Sequence, residues 1–315
     1  MGRPMTLFRR LTFASLAATI VLIAIGGLVR ASKSGLGCGT DWPDCGGRLV
    51  PSLATRAEAI EFSHRFTAMV VGLLIAALAI TALRRLKGDR QLRTTSLVAL
   101  GLVIFQALLG AAVVKAELER VVVVTHLVAA MSLLALLVYL ATVVSIRTAG
   151  TPRTTDARLA RRAGMAALGV LALLIVGSLA STRDIGGSWP LVDGKLVPDL
   201  SVETFALHWL HRVLAGIVGI AVGALAWSTA RRKAEMPAAA RYAHAAAGLF
   251  VVEILIGAVN LWTDLNPIVV ALHLTTGALI WASFAAMAAL THPSTGLAPA
   301  GARAATVPAV AEGGR

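Results

Sequence analysis

Apolar residues fall in eight long blocks separated by short polar stretches, at roughly 11–29, 60–83, 95–114, 121–146, 163–181, 205–230, 242–261 and 267–290. A helix needs about 20 such residues to cross the hydrocarbon core of a bilayer. The pattern predicts an all-α membrane protein with eight transmembrane helices. The first block follows Arg3, Arg9 and Arg10, as a signal peptide would. It is too long for a signal core, however, and no clear small-residue cleavage site follows it. It reads as an uncleaved helix.

The blocks repeat. EFSHRFTAMVVGLLIAALA from Glu61 aligns with HWLHRVLAGIVGIAVGALA from His208 at an offset of 147 residues. That offset carries His64 onto His211, Arg65 onto Arg212, Gly72 onto Gly219 and Gly110 onto Gly257. It also carries the VVVTHL around His126 onto the VVALHL around His273. Four helices per half is an even number, so the halves run parallel about an axis along the membrane normal. The expected architecture is two parallel-related four-helix bundles, residues 1–150 and 151–292, divided at the basic stretch 147–162. The remainder, 293–315, is rich in Ala, Gly and Pro and is expected to be a disordered cytoplasmic tail.

Composition agrees with a membrane solvent: 57% of residues are apolar and only 14% charged, against about 25% charged in soluble domains. The net charge of +13 would suit nucleic acid on a soluble module with a basic face. Here the basic residues lie between apolar blocks, where they set orientation. One side carries 19 Lys and Arg, the other ten. Both termini are therefore expected in the cytoplasm, with the long loops 30–59 and 182–204 facing outward.

Ionisable residues inside spanning helices are costly and usually functional. His64 and His211 lie one turn into the second helix of each half, and His126 and His273 near the start of the fourth. Each half thus holds two imidazoles at similar depth on different helices, an arrangement that can clamp one heme iron from both sides. Zinc or copper would want further ligands, and none recur at matching depth. His244 and His292 have no partners in the repeat and read as packing residues.

Glu61 precedes His64 by three residues, on one helix face, while His208 stands at the matching place in the second half. Glu61 could serve the metal-bound ring or cap the helix N-terminus. The difference between the halves implies different tasks: one heme worked on, the other carrying electrons. Arg65 and Arg212 suit heme propionates or snorkelling to headgroups. Glu253, matched by Gln106, suits a proton relay or an interhelical hydrogen bond. Cys38 and Cys45 are close enough to close a small loop on the oxidising side, or to stand as two thiols. There is no CxxCH for covalent heme attachment.

The loop GGLVRASKSGLGC..DWPDC, the EFSHR and LHWLHR helix starts and the two later histidines resemble the heme A synthase family, over nearly all of the chain to about residue 290. The resemblance implies eight helices in two halves and an enzyme that oxidises the C8 methyl of heme O to a formyl group. The oxidation would pass through the alcohol to the hydrated aldehyde. It also implies that His64 and His126 flank substrate heme, and that His211 and His273 ligate a heme b cofactor. Glu61 matches the family's functional carboxylate, and Cys38 with Cys45 its cysteine pair in the first outer loop, for which a disulfide is expected. The second pair that some members carry is absent from 182–204. Expected partners are heme O synthase and an electron donor, in a bacterial cell membrane; a homo-oligomer stays open. Two other classes fit the same histidines: a cytochrome b passing electrons from quinol, and a carrier of unmodified heme O.

Overall fold

The eight apolar blocks are eight α-helices in the computed structural model, which describes residues 3–149, 154–180, 189 and 191–295. They are α1 (Arg3–Ala31), α2 (Arg56–Arg85), α3 (Arg90–Lys115), α4 (Arg120–Ala149), α5 (Ala157–Leu179), α6 (Glu203–Ala230), α7 (Pro237–Trp262) and α8 (Pro267–Thr291). All eight are long and apolar enough to span a membrane. The protein is a multi-pass membrane protein. Most of the tail expected to be disordered, from residue 296, lies outside the described residues, as do 181–188 and 190 of the second long loop.

Several helices begin well before their apolar blocks, because polar caps rather than hydropathy fix the ends. Thr55 Oγ1 accepts the Glu58 N–H at 3.1 Å, and the Glu58 carboxylate accepts the Ala54 N–H at 2.9 Å. Asp89 accepts from Leu92 N–H, Asp156 from Arg158 and Leu159 N–H, and Asn266 from Ile268 N–H, each at 3.0 Å. Such caps satisfy amides that have no partner within the helix. Pro237 and Pro267 open α7 and α8, where a missing N–H costs nothing.

In the first half α1 packs on α2 and α4, and α3 bridges α2 and α4; in the second, α5 packs on α6 and α8, and α7 bridges α6 and α8. Contacts of α8 with α1 and α4, and of α4 with α5, join the halves. One buried apolar cluster, including Phe8, Ile75, Leu92 and Leu140, lies within the first half. The other combines Val170, Phe250 and Phe284 with Ile23, Met131 and Leu134 from the first half. Across this seam the buried Trp281 indole N–H donates to the Met131 carbonyl at 3.1 Å.

The end of the bundle opposite the long loops is tied by ion pairs. Arg147 on α4 pairs with Asp89 and hydrogen-bonds Gln91, at the start of α3. Arg232 donates to Asp156 at 2.6 Å, joining the end of α6 to the start of α5. The Arg232 guanidinium, with the Leu159 and Arg158 amides, holds the Asp156 carboxyl below its ordinary pKa. A depressed carboxylate stabilises the fold while ionised and loses that contribution as pH falls through its native pKa. In detergent, Asp156→Ala should therefore cost about 1 kcal/mol near neutral pH. The gap between variant and wild-type thermal midpoints should narrow below pH of about 4. A gap that stays constant through the acid range would remove the ion pair from the account.

Candidate functional site

His64 and His211 are each the ninth residue of their helices, and His126 and His273 each the seventh. The repeat thus delivers four imidazoles at two matched depths near the loop end of the bundle. All four line one cavity of about 2510 Å³, together with Glu61, Arg65, His208, Arg212 and Glu253. Small-molecule sites run to about 300–1,000 Å³. This one has room for more than one large planar ligand. Its remaining walls are mostly aliphatic side chains and glycines.

Each ring is seated against a glycine on the preceding helix. A Cβ on Gly26 would come within 3.1 Å of the His64 ring, one on Gly110 within 3.4 Å of His126, one on Gly177 within 3.0 Å of His211, and one on Gly257 within 3.3 Å of His273. Gly110 and Gly257 share the 147-residue offset. Gly26 and Gly177, in IGGL and VGSL, are displaced by 151, so a search at one fixed offset misses them.

The His211 and His273 ring centres lie 6.4 Å apart, with planes inclined at 69°. Two nitrogen–metal bonds of about 2 Å, each with an imidazole centre about 1.1 Å further out, set such rings about 6 Å apart. That spacing is the one two imidazoles would need in order to hold one iron between them. His64 and His126 line the same cavity, and the buried His126 Nδ1 has no hydrogen-bond partner among the described residues. A bare metal ion wants three or four protein ligands. Among the described residues no group of three His, Cys, Asp or Glu converges to supply them.

Glu61 is buried, 3% exposed, on the sixth residue of α2. The cap of α2 belongs to Thr55 and Glu58, so Glu61 is not the capping residue. Its carboxylate accepts the Cys38 N–H at 2.8 Å and the Arg65 guanidinium at 2.5 Å. Cys38 and Cys45 form a disulfide, and Arg65 also donates to the carbonyls of Asp41 and Asp44 within that loop, at 2.9 and 2.5 Å. Acid, arginine and disulfide loop form one hydrogen-bonded unit.

The sequence reading missed that the repeat continues into the loops. CGGRLVP from Cys45 and VDGKLVP from Val192 share the offset of 147. Both are tight hairpins, bridged Cys45 to Arg48 and Val192 to Lys195. Both turn through positive φ, at Gly46 and Gly47 in one and Asp193 and Gly194 in the other. Arg212 donates to the Leu191 carbonyl as Arg65 does to Asp44, again one offset apart. Each arginine thus pins a hairpin over the cavity.

The halves differ within this frame. Glu61 faces His208 in the repeat. At the next pair, Gln106 donates to the His126 carbonyl at 2.9 Å, whereas Glu253 stands 3.2 Å from His273 Nδ1. Phe250 fills the space beside Gly219, where a Cβ would meet its ring at 2.9 Å; nothing lies within 4 Å of the equivalent point on Gly72. At this pair of positions the first half is the more open. His244 and His292 lie away from the cavity, with His244 Nδ1–H donating to the Ala240 carbonyl and His292 Nδ1 beside the Ser294 hydroxyl.

Comparison with known proteins agrees with this geometry. The family described as cytochrome oxidase assembly protein matches residues 9–285. The heme A synthase of Symbiobacterium thermophilum is 31% identical over 303 residues, covering 92% of this chain and 97% of the relative. That of Staphylococcus carnosus is 28% identical over 84% of this chain and 88% of its own, and that of Exiguobacterium sibiricum 30% identical over 69% and 72%. Matched over nearly its whole spanning region, the chain belongs to the cytochrome oxidase assembly protein family.

Proposed function

We propose that this protein is a heme A synthase, an oxidoreductase that converts the C8 methyl of heme O to a formyl group. The observation that carries the reading is the paired set of imidazoles, each seated on a glycine, two in each half of one large cavity. In this reading residues 1–150 bind substrate heme O between His64 and His126, and residues 151–292 retain heme b between His211 and His273. The space beside Gly72, filled by Phe250 in the other half, supports a bulky substrate in the first half. Heme b, when bound, supplies a one-electron carrier.

The chain's own residues then have defined tasks. The four imidazoles hold the macrocycles at fixed depth, and the aliphatic walls exclude water. Arg65 and Arg212 bring positive charge to the cavity wall, of the sign that propionates require. Glu61, fixed by Cys38 and Arg65, offers a carboxylate that can stabilise positive charge developing at the methyl carbon, or take a proton from attacking water. Heme affinity resides in the histidines and apolar walls instead. The excess of Lys and Arg on one side supports cytoplasmic termini in a bacterial cell membrane, with the disulfide loop outside.

Replacing His211 or His273 with Ala should remove the b-type band from the reduced-minus-oxidised spectrum of the purified protein. The band persisting unchanged in both variants would overturn the ligand assignment. Glu61→Gln should keep heme O bound and slow heme A formation roughly 100- to 1000-fold, the loss of one transition-state interaction worth about 3–4 kcal/mol. Acid-acetone extraction after co-expression with a heme O source reads this directly. Normal heme A in that variant would end the catalytic reading, and a wild-type protein yielding only heme O would favour a carrier. On intact cells, an impermeant thiol reagent should label Cys38 and Cys45 only after an impermeant reductant; labelling confined to opened cells would reverse the orientation.

A further inference from the structure

Among the described residues, His273 is the one ring of the four with a carboxylate oxygen within ion-pair distance. Glu253 reaches it from α7, one turn before the glycine that seats the same ring. Its Oε1 is 3.2 Å from His273 Nδ1, at ion-pair distance but without hydrogen-bond alignment, and both Oε2 and Nδ1 are buried with no hydrogen-bond partner. The carboxylate occupies space that Gly277 leaves, since a Cβ there would lie 3.2 Å from Oε1 and 2.9 Å from Leu174.

None of this recurs in the first half. Gln106 stands at the position of Glu253 and spends its amide on the His126 backbone, while Ala130 stands at the position of Gly277. Two substitutions relative to the repeat, one adding the acid and one making room for it, act on a single ring. Helix packing alone would be served by the neutral amide that the other half uses.

We propose that Glu253 is a positioning residue for the heme b ligand His273, setting the electron affinity of that heme. This rests on the assignment of His211 and His273 to heme b. A carboxylate 3.2 Å from Nδ1 favours the tautomer with its proton on that nitrogen, which would leave Nε2 free for iron. The negative charge makes the imidazole a stronger donor, which favours ferric over ferrous iron and lowers the reduction potential. A heme held by His273 would be the stronger one-electron donor for it.

The test is an equilibrium redox titration of the purified holoprotein, followed at the b-type band. Glu253→Gln retains size and an acceptor oxygen but removes the charge. The variant should keep its heme, and at a fixed potential its oxidised-to-reduced ratio should fall about tenfold, an upward shift of about 59 mV for a one-electron couple. Should that variant fail to accumulate, Glu253→Asp, one methylene shorter, should shift the midpoint in the same direction by less. An unchanged midpoint in whichever variant accumulates overturns the proposal. Failure of the underlying assignment is distinguishable, because the b-type band would then survive His273→Ala.

Discussion

An imidazole that turns inward in a helical bundle needs space that close helix contact does not leave. Here one glycine on the preceding helix provides it for each of the four rings. A Cβ at Gly26, Gly177 or Gly257 would crowd its ring, which would have to give by a few tenths of an ångström, and one at Gly110 would be in ordinary contact with it. The spacing of α1 against α2, α3 against α4, α5 against α6 and α7 against α8 is bound up with these four seats. So is the 6.4 Å between the His211 and His273 ring centres. All four rings line the one large cavity.

At the loop end the frame is closed by hydrogen bonds rather than by apolar contact. Arg65 and Arg212 each hold a hairpin through a backbone carbonyl, at equivalent points of the repeat. In the first half this clamp also gathers Glu61 and the disulfide loop, so the buried acid is fixed by Cys38 and Arg65 together. A buried carboxylate is costly unless its oxygens are paired, and these two partners meet that requirement. The same unit aims the acid at the cavity wall. Structural and chemical demands on Glu61 are met by one set of bonds.

Two copies of one frame have been given different contents. Glu61 against His208, Gln106 against Glu253, Ala130 against Gly277 and the pair Gly72 and Val103 against Gly219 and Phe250 are the positions where the halves part. Each change alters charge or volume in the cavity wall while leaving the four rings on their glycines.

The sequence by itself determined the eight spans, the repeat and the four histidines, for a simple reason. Membrane solvent demands long apolar blocks, and in such blocks an ionisable residue stands out without any knowledge of packing. It also singled out Glu61 and the cysteine pair, whose exceptional character is chemical. What it could not determine was which way anything faced. Helices apolar on the lipid side and on the core side carry almost no periodic signal, so the ring seats at Gly26 and Gly177 were invisible, the more so because their offset differs by four residues. The hairpins at Cys45 and Val192 are legible at the same 147-residue offset, in GGRLVP and DGKLVP, although they lie outside the apolar blocks. Only the tertiary structure decided that Arg65 binds Glu61 and loop carbonyls, that Gln106 turns to a backbone oxygen while Glu253 turns to a ring, and that one ring pair stands 6.4 Å apart. Those outcomes depend on side-chain direction across helix contacts, which spacing along the chain does not encode.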